Sequence, residues 1–183
     1  MIRILFILFI VLLAAFLFLQ GSLNERNGEK PAFLVHDYIA GAHHTNMEIK
    51  VHSEFKPDSF QLAVLKKEYS NIWAHLNHLY ETNDVETGKE YYTEDWFKQM
   101  VHHYSGVTST GISRIDEQHE LHIQNWAWDA LVCTAIDSNV VLHYQYPDKT
   151  IRTRKVSLAV VLLYQGDHWR IDALKVIEDK PSK

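Results

Sequence analysis

Leu162 to Ile171 reads "LLYQGDHWRI", and this stretch decides the fold. Gly166 and Asp167 supply turn chemistry between an apolar run and the pair Trp169-x-Ile171, which is the pattern of a β-hairpin. After the turn, Trp169, Ile171 and Ala173 fall on one side of the strand, and Arg170, Asp172 and Leu174 on the other. The Trp-bearing side is expected to be buried. A hairpin with one greasy face needs a second layer, and that layer must come from upstream.

Immediately upstream the chain is rich in β-branched and aromatic residues. Four strands are predicted, at roughly 113–127, 129–146, 150–165 and 168–178, joined near Asp129, by "YPDKT" and by "QGDH". Such short links make neighbours antiparallel. Strands of about 15 residues exceed the usual length, so the sheet is expected to bend and leave a concavity. Further upstream, Asp58 or Ser59 can cap a helix in which Leu62, Leu65, Tyr69, Ile72, Trp73, Leu76 and Tyr80 form one apolar stripe to about residue 81. "ETNDVETGKE" breaks it. Thr93, Glu94 and Asp95 open a second helix carrying Trp96, Phe97, Met100, Val101 and Tyr104 on one side. Helices followed by a run of antiparallel strands imply an α+β fold with helices covering one face of one sheet.

The N-terminus is of another kind. Ile4 to Leu19, "ILFILFIVLLAAFLFL", is sixteen uninterrupted apolar residues after Arg3. At about 1.5 Å per residue it is short for a bilayer span but feasible if Arg3 snorkels. "FLFLQGS" is a poor cleavage site, so an uncleaved anchor over residues 1–20 is expected. Residues 21–56 then form a tether and a stretch with no clean period, and residues 57–183 the folded domain. The positive flank of the anchor predicts a cytoplasmic N-terminus and a domain outside the cytoplasm, in a bacterial inner membrane and its periplasm.

Composition narrows the function. Acidic residues exceed basic ones by 23 to 18, which leaves no basic footprint for nucleic acid. Twelve His would carry the formal charge from -5 to +7 if all were protonated. Cys133 is the one cysteine, in the apolar setting "ALVCTAI", and reads as a core position. His36, His43, His44, His75, His78, His102, His103, His119 and His122 suggest metal binding, but HExxH is absent and "HELH" lacks the helical spacing, so no metal or other cofactor is expected. Helical angles put His78 opposite the apolar stripe and His75 near its edge, both in water.

The order of elements, with "YYTEDWFKQM" opening a short helix and "GDHWRIDALKV" at the end, resembles the nuclear transport factor 2-like superfamily over about residues 57–178. That group, also described as SnoaL-like or cystatin-like, implies a cone in which helices pack on a strongly curved sheet. Its members include ketosteroid isomerase, scytalone dehydratase, SnoaL-like cyclases and non-catalytic binding domains, some of them membrane-anchored components of type IV secretion systems. The resemblance therefore implies a membrane-tethered binding or assembly domain, paired as a homodimer or with an envelope protein, or alternatively an isomerase, cyclase or dehydratase acting on a small hydrophobic substrate.

An acid–base enzyme in such a cone needs a His or a raised-pKa carboxylate as base and a donor for the developing oxyanion. Candidate bases are His122, Asp129 and His143, and candidate donors Tyr69 and Tyr144. His143 and Tyr144 alternate along one strand and cannot share a face without a bulge. Trp126 and Trp128 are expected on one strand face, and with Trp73 they complete the candidate pocket residues. No pair among them matches the isomerase constellation well enough to carry a catalytic role, so none is assigned.

Overall fold

A computed structural model describes Ile39 and residues 43–182. The expected anchor at 1–20 and most of the stretch 21–56, up to Ala42, lie outside the described residues apart from Ile39. Among the described residues no helix is long and apolar enough to cross a membrane. Helix α1 (Ser59–Thr82) starts where Asp58 accepts the Gln61 N–H at 2.7 Å while Gln61 accepts the Asp58 N–H at 2.9 Å, a reciprocal capping box. It stops at Asn83, whose left-handed backbone lets its N–H reach the Leu79 carbonyl at 2.8 Å. The apolar stripe buries Leu65, Tyr69, Ile72, Trp73, Leu76 and Leu79. His75 is fully buried rather than wet, because the 3-10 turn Glu86–Tyr91 folds back along the other side of α1 and stacks Tyr91 on it at 4.7 Å.

The sheet holds five strands in the order β1 (Asn46–Val51), β2 (Ser113–Trp126), β3 (Val132–Gln145), β4 (Ile151–Gln165) and β5 (His168–Pro181). The last four are antiparallel hairpins, as expected. β1 falls in the stretch left without assigned structure, ahead of Pro57, and runs parallel to β2 with Met47 opposite His119. A parallel neighbour requires a long crossover, which α1 and helix α2 (Glu94–Tyr104) provide. Thr93 caps α2 by accepting the Trp96 N–H.

Several irregularities override simple alternation, and three of them shape the site. β2 carries an extra residue between Asp116 and Gln118, and β3 an extra residue between Asp137 and Val140, where Asn139 takes φ 56°. The two bulges lie side by side, and each resets which residues face the helices. On β5 a third bulge falls at Asp172, whose carboxylate accepts the Thr93 hydroxyl at 3.1 Å. Trp169 and Ile171 are buried as expected, but the bulge turns Ala173 outward and brings Leu174 against the core. Trp126 and Trp169 pack at 5.1 Å beneath α1's first turns.

Candidate functional site

The two adjacent bulges bring charge into the core. His119 is fully buried and lies between two fully buried carboxylates: Nε2 is 2.8 Å from Asp116 Oδ2 and Nδ1 is 2.7 Å from Asp137 Oδ2. With both ring nitrogens donating to carboxylates, the ring is held as an imidazolium. Burial opposes that charge, but the two hydrogen-bonded carboxylates outweigh it and lift the imidazole to about 9. Burial would likewise raise the Asp116 carboxyl, yet the bonds from His119 and His43 hold it well below the usual carboxylate range.

The network extends both ways. Tyr69 donates its hydroxyl to Asp137 Oδ2 at 2.9 Å, and burial, then the Asp137 charge, pushes that phenol far above its ordinary value. On the other side Asp116 Oδ1 also receives the Asn77 amide and the His43 Nε2, the latter at 2.7 Å, and His43 Nδ1 meets Ser70 Oγ at 3.2 Å. Asp137 Oδ1 is buried with no hydrogen-bond partner among the described residues.

Beside this network is a cavity of about 330 Å³ between the helices and the sheet. Trp73, Leu76, Leu79, Leu142, Val156 and Leu158 wall it, and α2 covers it with Trp96 and Met100. No α2 residue is fully buried, because its apolar side faces this space rather than packed core. His119, Asp116 and Asp137 do not line the cavity; Trp73, in contact with the His119 ring at 4.7 Å, stands between. The cation in the wall is Arg114. It donates from Nε to Asn77 Oδ1 at 2.8 Å, and its guanidinium lies over the rings of Tyr80 at 4.8 Å and Trp73 at 5.7 Å. Tyr80, Tyr144 and Asp179 border both this cavity and a wider hollow of about 810 Å³ that carries Tyr146, Arg152 and Arg154.

The eight residues singled out from the sequence scatter. Trp73 and Tyr144 line the cavity, and Tyr69 is in the buried network. Trp126 and Asp129 border a separate hollow of about 290 Å³ near the start of α1, lined also by Phe60 and Leu131. His122 and His143 lie on the face away from the helices, where His122 meets His52 at 3.1 Å and His143 bridges Glu117 at 2.7 Å and Thr153 at 2.9 Å. Trp128 is corrected outright: β2 ends at Trp126, the chain turns, and Trp128 is 80% exposed.

Asp116, Asp137 and Arg114 were not singled out, and His119 only among the His that suggest metal binding. Part of the signal was present. Asp137 has the parity of Cys133 and Ala135, and His119 that of Leu121 and Ile123, so both belonged on the buried face. Asp116 and Arg114 have the opposite parity and reach that face through the bulge. Comparison with protein-family models, with curated proteins and with solved structures finds no match. Chemically, the arrangement offers a largely apolar chamber with Arg114, His103 and Asp179 in its lining, and beside it a charged network that does not line that chamber.

Proposed function

We propose that this chain is a non-catalytic binding domain of the nuclear transport factor 2-like kind, a cone that holds a small, largely apolar ligand. The observation that carries this reading is the chamber under α2, at the lower end of the size range of small-molecule sites (about 300–1,000 Å³) and walled largely by Trp, Leu and Val, while the buried His119, Asp116 and Asp137 sit outside its lining. A tether at the membrane is part of the proposal and rests on the apolar run Ile4 to Leu19, with the domain presented outside the cytoplasm. The test is methyl NMR of the intact chain in detergent with a neutral apolar probe, 2-naphthalenemethanol. Shifts at Met100, Leu142 and Leu158 are expected; shifts confined to the outer face of the sheet, or none, would end the proposal.

A second reading, acid–base catalysis of the isomerase or dehydratase type, is favoured by one observation, the Tyr69–Asp137–His119 constellation. A general base must come within hydrogen-bond reach of the proton it removes. It would require Trp73 to swing aside. Enhanced deuterium exchange of 3-cyclohexenone, abolished in Asp137→Asn, is the outcome that would favour it over simple binding.

A further inference from the structure

Arg114 is a mostly buried cation in a wall built largely of Trp, Leu and Val and shared with His103, Asp179 and three Tyr, and no carboxylate pairs with it directly. Among the described residues no carboxylate lies within 4.0 Å of its guanidinium. The nearest candidate, Asp116, already accepts from His119, His43 and Asn77, and Asn77 stands between it and Arg114. Asp179, at the rim of the cavity, is held by Arg154 at 2.6 Å. Aromatic faces on two sides fix the guanidinium in place without cancelling its charge.

Position adds a second argument. Arg114 pairs with Tyr144, and Tyr144 with Arg152, so these residues stand at the end of the cavity that opens into the wider hollow. Trp96, Leu158 and Leu174 line the rest. The space is therefore amphipathic along its length, with a cation at the mouth and hydrocarbon beyond. Asp116 acts on the Arg114 charge through the intervening Asn77 without bonding it, so the guanidinium keeps donors that a ligand anion takes up more strongly than a neutral group does.

We propose that the ligand is an anionic amphiphile, a carboxylate on an apolar body, whose headgroup is received by Arg114 at the cavity mouth while the body lies against Trp73, Trp96 and Leu158. This rests on the reading of the cavity as a binding site. An acyl chain and a flat aromatic acid share that chemistry, and the five Trp and Tyr rings at the cavity serve either.

The experiment compares anion with neutral isostere on the intact chain by calorimetry: 2-naphthoate against 2-naphthamide, and decanoate against decanamide. At least one acid is expected to bind about tenfold or more tightly than its amide, the scale of a charge-assisted hydrogen bond. In Arg114→Gln, which keeps a donor toward Asn77, that preference is expected to vanish while amide binding persists. A larger preference with decanoate supports an acyl source, and with naphthoate an aromatic one. Equal binding of acid and amide to the wild-type chain overturns the anion proposal but leaves the cavity reading standing. No binding by any of the four overturns both. The wild-type ratio decides even where Arg114→Gln fails to fold.

Discussion

His119 is held charged between Asp116 and Asp137, so folding raises its affinity for a proton. That contribution is complete below the unfolded value of 6.5 and is lost as pH rises through about 9. Asp116 has the opposite sign: its contribution is complete above 3.8 and is lost in acid as pH falls toward its depressed folded value. Stability from the network is therefore greatest between those two limits. Urea unfolding at pH 6 and pH 10 is expected to show a loss on the order of 3 kcal/mol from His119 at the higher pH. His119→Leu leaves two buried carboxylates facing an apolar group, and a cost of about 3–5 kcal/mol at pH 6 is expected, with the alkaline slope removed. Equal wild-type stability at both pH values would mean that the ring is neutral. Cys133 is simpler: burial pushes its thiol up to about 12, so iodoacetamide should modify it in urea and leave it untouched in buffer.

At the scale of elements, the bulges are what convert a plain hairpin stack into a charged core. Asn139 occupies the left-handed region on β3, a conformation that a β-branched side chain resists. Asn139→Val is expected to cost about 1–2 kcal/mol in urea unfolding and Asn139→Gly to cost less, since glycine enters that region freely. If the two variants unfold alike, the bulge does not hold β3 in register. Helix α1 depends on its reciprocal cap, and Asp58→Ala should lower stability by about 1 kcal/mol. Helix boundaries were legible because capping and apolar periodicity are local: Asp58, Asn83 and Thr93 each act within a turn. Bulge positions were not, because an extra residue in β2 has meaning only against its partner in β3.

At the scale of the whole molecule, Trp169 and Trp126 couple the last hairpin to β2 beneath the start of α1. Trp169→Ala is expected to cost about 3–5 kcal/mol and to lower the urea midpoints of far-ultraviolet dichroism and fluorescence together, because both elements share that core. Separate midpoints would show that the helices and the hairpin do not unfold as one unit. The same joining of distant elements creates the cavity: α2 supplies one wall, β2 to β5 the opposite one, and α1 the end with Trp73.

The sequence by itself determined the α+β class, both helices, the four antiparallel strands and the burial of Trp169 and Ile171, because periodicity and turn chemistry act over a few residues. Tertiary structure decided the parallel β1, the burial of His75, the exposure of Trp128 and the gathering of Arg114, Asp116, His119 and Asp137. Each of these depends on which segments meet across the fold. A one-residue bulge reverses the facing of everything beyond it, and only the neighbouring strand shows where that reversal falls.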